Sequence, residues 1–133
     1  MQTQIFVNLP VKNLKKSITF FTNLGYTFNP KFTNDTSTCM IISETIFVML
    51  LEDDVFKKFT NKPLADAFKT TEAIICISVE SKIKVDEIVK LALAEGGIAA
   101  NEKQDHGFMY AHGFEDLDGH LWEVMWMDPS AVV

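Results

Sequence analysis

The chain has 133 residues, 47% of them apolar, with 18 acidic residues against 12 basic ones and a formal net charge of −6. That is enough apolar material for one compact domain with its own core. The acidic balance argues against nucleic acid or anionic membrane as a partner, because both need a basic face. No stretch approaches the roughly 20 apolar residues of a membrane span. The opening MQTQIFVNLP lacks the basic-then-apolar order of a signal peptide. The expectation is a cytoplasmic protein.

In chain order, residues 4–11 (QIFVNLPV) are apolar and β-branched, which predicts a strand. Asn13 then suits an N-cap. Leu14, Ile18, Phe21 and Leu24 follow at helical spacing, with Lys15, Lys16 and Thr19 on the other face and Gly25 at the stop. Three strands are predicted next, over 26–32, 38–43 and 45–51, the last two joined by a tight turn at Ser43-Glu44. Residues 53–70 mix Phe, Lys and Asp around Pro63 and are read as a connector of short helix and loop.

The pattern then restarts. Residues 72–79 predict a strand. Residues 81–95 predict a helix with Val85, Ile88, Val89 and Ala92 on its apolar stripe, stopped by Gly96-Gly97. A weak strand over 98–103 precedes strands over 107–115 and 120–127, joined at Asp116-Leu117-Asp118-Gly119, where the Asp-Gly pair signals a hairpin. Val11 and Val79 close the two leading strands at equivalent places. The expected fold class is therefore α+β: two βαβββ modules, 1–52 and 71–133, linked by 53–70, whose curled mixed sheets enclose a cleft. Cys39 and Cys76 lie in apolar runs without CxxC spacing and are expected to be buried thiols.

On the last strand, alternation puts Leu121, Glu123 and Met125 on one face and Trp122, Val124 and Trp126 on the other. If the tryptophans pack under a helix, Glu123 faces the cleft, where an unpartnered carboxylate is costly. A hairpin loop of two or four residues brings Tyr110, His112 and Phe114 to the Glu123 face, and a His112–Glu123 pair there could do acid–base work. A three-residue loop reverses that parity. Phe6 and Asn8 share a face on the first strand, where Asn8 offers a hydrogen bond to a ligand. His106 and His120 are expected to be exposed bystanders. The aromatic residues, with Met40, Met49, Met109, Met125 and Met127, suit an adaptable apolar cavity as well as a plain core. Phosphate-loop, dinucleotide, nucleophile-elbow and zincin motifs are absent.

The opening FVNLPVKNLKKSITFFTNLGYTF and the closing FEDLDGHLWEVMWMDP resemble the vicinal oxygen chelate superfamily of glyoxalases, bleomycin-resistance proteins and extradiol dioxygenases. The resemblance spans nearly the whole chain. It implies paired βαβββ modules, a homodimer, and in metal-dependent members a divalent ion held by His, Glu or Gln from four strands. Carried onto this chain, those positions fall on Phe6, Met49, Ile74 and Glu123. Two of these residues lack donor atoms and one is a soft thioether, so only Glu123 keeps a ligand. The expectation is thus no cofactor, although Glu123 with water could hold a weak divalent ion. The favoured reading is a small-molecule-binding protein of the bleomycin-resistance type, with Phe6, Asn8, Met49, Tyr110, His112 and Glu123 in contact with ligand. The alternatives are a glyoxalase-like lyase, isomerase or dioxygenase built on Glu123 and His112, and a structural dimer with a self-filled cleft.

Overall fold

The computed structural model describes residues 1–131. It is an α+β structure of two compact units, Met1–Ala65 and the chain from Asp66 onward, each with one mixed sheet.

In the first unit, β1 (Ile5–Val11) leads into helix α1 (Leu14–Asn23). The Asn13 side chain caps α1 by accepting from the Lys16 N–H, and Glu52 Oε2 accepts the Leu14 N–H at 2.9 Å. Two orphan donors of the first turn are thereby satisfied. Strands β2 (Thr27–Phe28), β3 (Ser37–Ile41) and β4 (Ile46–Glu52) follow, in the sheet order β1-β4-β3-β2. β1 runs parallel to β4, and the other pairs are antiparallel. The strand expected over 26–32 is shortened to two residues. Pro30 has no N–H for a ladder, and Asn29 caps a 3-10 turn over Pro30–Phe32 instead. The core lies between α1 and one sheet face: Leu14, Phe20, Phe21 and Leu24 bury against Val11, Met40, Val48 and Leu50. A single helical turn, α2 (Asp53–Phe56), and a 3-10 turn (Lys57–Phe59) occupy the connector.

In the second unit, β5 (Ile74–Ser78) leads into α3 (Lys82–Ala94), capped by the Ser81 hydroxyl on the Lys84 N–H. The remaining strands are β6 (Ile98–Ala99), β7 (Gln104–Asp105), β8 (Met109–Glu115) and β9 (Leu121–Met127). The sheet order is β5-β9-β8-β6, with β7 also paired to β8. The weak strand predicted over 98–103 is replaced by two separate two-residue strands. Helix α3 buries Val85, Ile88, Val89 and Ala92, the predicted stripe, against Phe114, Trp122 and Val124. Its first half also carries polar ties to the sheet. Tyr110 Oη donates to Asp86 Oδ1 at 2.6 Å, Lys103 pairs with the same carboxylate, and the Lys82 ammonium lies over the Tyr110 and Trp126 rings.

The β8–β9 hairpin corrects the predicted register. Glu115 pairs with Leu121, Gly113 with Glu123 and His112 with Val124. The Asp116 N–H donates to the His120 carbonyl, leaving Leu117-Asp118-Gly119 as a three-residue loop. Gly119 takes φ +84°, the left-handed residue that such a loop requires after a type I turn. Asp116 fixes the loop from beneath: Oδ1 accepts the Asp118 and His120 N–H groups, and Oδ2 accepts Trp122 Nε1 at 2.9 Å. Burial pushes the Asp116 carboxyl above its ordinary range, against the pull of the His120 charge and of those donors.

Candidate functional site

The two sheets pair their strands in the same way, so equivalent positions can be read from register. In the first unit Phe6 pairs with Phe47 and Asn8 with Met49. In the second, Ile74 pairs with Leu121 and Cys76 with Glu123. Met49 and Glu123 therefore hold the same place, each on its unit's last strand and each opposite the residue two beyond Phe6 or Ile74.

In the first unit Phe6, Asn8 and Met49 lie together on the face turned away from α1, as the alternation predicts. That face is apolar and self-packed. Phe6 stacks on Phe47 with centroids 4.9 Å apart and remains about half exposed (49%). Cys39 pairs directly with Met49 and is buried. The Asn8 amide donates to the Phe6 carbonyl of its own strand. An open depression of about 570 Å³, lined by Met1, Gln2, Thr3, Gln4 and Phe6, lies at the start of β1 and contains no titratable side chain.

In the second unit Glu123 lies on the face turned away from α3, beside Ile74, Cys76, Leu121 and Met125. His112 and Tyr110 do not join it. The odd loop turns Tyr110, His112 and Phe114 to the α3 face with Trp122, Val124 and Trp126. Tyr110 is buried and bonded to Asp86. The His112–Glu123 acid–base pair is thereby removed, and so is any shared face for Tyr110 and Glu123. Cys76 is a second correction. It was expected to be buried, but β5 ends the sheet and Cys76 points away from α3, so its thiol is exposed. Partial desolvation, and secondarily the Glu123 charge, hold that thiol above its ordinary pKa. His106 is exposed as expected. His120 is half-buried, with its N–H on Asp116.

Glu123 is half-buried among apolar neighbours. Among the described residues no side chain or backbone group donates a hydrogen bond to it or forms an ion pair with it, and its oxygens keep contact with solvent. Sequence reasoning missed two residues beside it, Gly113 and Asn101. The point where a Gly113 Cβ would stand is 2.9 Å from Asn101 Oδ1 and 3.6 Å from Glu123 Cγ. Only the glycine itself signalled this closeness in the sequence.

Residues 3–43 match the family model described as bleomycin resistance protein-like N-terminal. No curated protein matches the chain in a sequence search. Among solved structures, a hypothetical protein from S. aureus is 26% identical over 95% of both chains, with a TM-score of 0.79. A glyoxalase/bleomycin resistance protein/dioxygenase family enzyme from Burkholderia phytofirmans is 11% identical, covering 95% of this chain and 99% of that one, with a TM-score of 0.77. The chain shares the fold of the glyoxalase/bleomycin resistance protein/dioxygenase structures. A fosfomycin resistance protein from Listeria monocytogenes shares the fold at 22% identity, over 95% and 91% of the two chains, with a TM-score of 0.69.

The resemblance read from the sequence implies metal ligands at the positions held here by Phe6, Met49, Ile74 and Glu123. A phenyl ring, a thioether, an alkyl chain and one carboxylate do not fit a hard divalent cation. Among the described residues, no three His, Cys, Asp or Glu side chains come together as a metal-holding group.

Proposed function

We propose that this chain is a small-molecule-binding protein of the bleomycin-resistance type, with a degenerate metal site and with Glu123 as the polar anchor for its ligand. One observation carries the reading: Glu123 is half-buried on an apolar face, no group among the described residues bonds to it, and its carboxylate oxygens stay open to solvent and so to a ligand. A ligand that covers that carboxylate must replace its water with donors of its own. A ligand ammonium or amidinium supplies both the charge and the hydrogen bonds. Ile74, Leu121 and Met125 on the same face give an apolar body something to lie against. The net charge of −6 favours cationic ligands in the encounter. The same proposal includes a homodimer, because β1 and β5 stand at the ends of their sheets and a partner strand can cover such an edge.

Isothermal titration with metal-free bleomycin, a cationic ligand with planar rings, tests the binding. The expected result is saturable binding by the wild type that weakens about tenfold or more in Glu123→Gln. No binding, or binding indifferent to Glu123, overturns the reading. A monomer by sedimentation at micromolar concentration overturns the dimer.

A further inference from the structure

We propose that the row Asp105, Tyr110 and Trp126, on the α3 face of the second sheet, is a binding site for a quaternary ammonium group, and that Lys82 is a tethered cation which holds the site until such a ligand displaces it. The site lies on the opposite face from Glu123 and does not depend on the reading of that residue.

The row comes from register. Asp105 on β7 pairs with Tyr110 on β8, and Tyr110 pairs with Trp126 on β9, so carboxylate, phenol and indole stand side by side on one face. Two of the three are fixed by further bonds. The Tyr110 hydroxyl donates to Asp86 at 2.6 Å, and Asp105 Oδ1 accepts the Gly107 N–H at 2.9 Å. The Lys82 ammonium lies 5.8 Å from the centroid of the Tyr110 ring, 5.5 Å from that of Trp126 and 3.5 Å from Asp105 Oδ1. Aromatic faces gathered around one cation are how quaternary ammonium groups are recognised.

The fold does not require a cation here. In the first unit the helix begins after its cap with Leu14, which is buried, and Glu52, three residues past Met49, accepts the Leu14 N–H. In the second unit Lys82 takes the place of Leu14, and Trp126, three residues past Glu123, takes that of Glu52. A cation in the first turn also opposes the helix dipole, and no acidic residue in that turn offsets it.

Lysine fills the site incompletely. Asp105 is its one hydrogen-bond partner among the described residues, at 3.5 Å, whereas a primary ammonium has three donors to satisfy. A quaternary ammonium has no donors, and its methyl groups spread the charge across both rings. The Lys82 side chain is 42% exposed and that of Asp105 53%, so the exchange can proceed from solvent. The ligand competes with a tethered group at an effective concentration of about millimolar order, so removing the lysine should raise the apparent affinity.

Calorimetric titration with choline, and with 3,3-dimethylbutan-1-ol as its uncharged isostere, tests the site. Lys82→Met is expected to bind choline about tenfold more tightly than the wild type, and to bind the isostere about tenfold more weakly than choline. In the Lys82→Met background, Trp126→Leu should weaken choline about tenfold and Asp105→Asn about threefold, while Glu123→Gln should stay within about twofold. The Trp126 indole N–H resonance should move with choline, and that of Trp122, buried and bonded to Asp116, should not. Melting curves check that each variant folds, with Lys82→Ala as a second way to empty the site. If neither Lys82 variant binds choline more tightly than the wild type, the lysine is a structural brace and the proposal falls. It falls equally if the isostere binds as well as choline, if a folded Trp126→Leu variant keeps the affinity, or if Glu123→Gln removes it.

Discussion

In the first unit the residue opposite the middle of the leading strand is Met49, and in the second it is Glu123. The pairing around the two is the same, but the surroundings are not. Met49 has Cys39 beside it and the stacked Phe6 and Phe47 close by, so its face is satisfied by dispersion and area burial. Glu123 has Gly113 beside it, and its carboxylate is left to solvent, with no partner from the described chain. A duplicated scaffold thus carries one face that completes itself and one that asks for something from outside. The turns differ in the same sense. In the first unit the connection between β3 and β4 is held by backbone bonds from Ile42 and Ser43 to the Ile46 carbonyl. In the second a buried carboxylate organises the loop.

The largest expected effect separates the turns. Asp116→Ala removes the acceptor for three donors and strands the Trp122 indole N–H in the core, so unfolding stability should fall by about 3 kcal/mol in denaturant titrations. Ser43→Ala, in the other turn, should stay within about 0.5 kcal/mol. Equal losses would mean that the two connections are held alike. Exchanging the paired positions comes next. Met49→Glu forces a charge onto an apolar, packed face and should cost about 1–3 kcal/mol. Glu123→Met relieves an unpartnered carboxylate and should be neutral or stabilising by up to about 1 kcal/mol. A destabilising Glu123→Met would show that the carboxylate supports the fold, and the contrast between the faces would collapse. The smallest effect reads local charge. Cys76 should react with iodoacetamide at neutral pH more slowly than an unperturbed thiol, because burial and the Glu123 charge both raise its pKa. Glu123→Gln should speed the reaction by lifting the second of these, and Cys39, buried in the other unit, should stay unlabelled. No change in Cys76 reactivity would separate it electrostatically from Glu123.

Much of the architecture was legible. Helical spacing marked Val85, Ile88, Val89 and Ala92, and all four are buried. Asn13 reads as a cap and acts as one. On α1 the stripe was drawn too narrowly, because Ser17 and Phe20 are also buried and a small polar residue in a helix seam breaks a pattern read from hydrophobicity alone. The hairpin parity is the instructive failure. Asp118-Gly119 suits a two-residue turn, but the Asp116 carboxylate can close a longer loop around its own backbone, and that choice depends on Trp122 being in reach. One extra residue in the loop moved His112 and Tyr110 to the other side of the sheet. Asn101 was illegible for a different reason: its place beside Glu123 depends on the path of a connection between two strands of two residues each, which carries no periodic signal.

The parallel pairing of each leading strand has a consequence for how the chain is made. β1 finds its partner only when β4 has been synthesised, about forty residues later, and β5 waits about as long for β9. During that interval on the ribosome Ile5, Phe6 and Val7, or Ile74, Ile75 and Ile77, form unpaired apolar segments, while the local antiparallel hairpins can close at once. Aggregation during expression should therefore track substitutions in β1 and β5 more closely than those in β3 or β8. A holdase chaperone should engage nascent chains most strongly at lengths that end before residue 46 or, in the second unit, before residue 121.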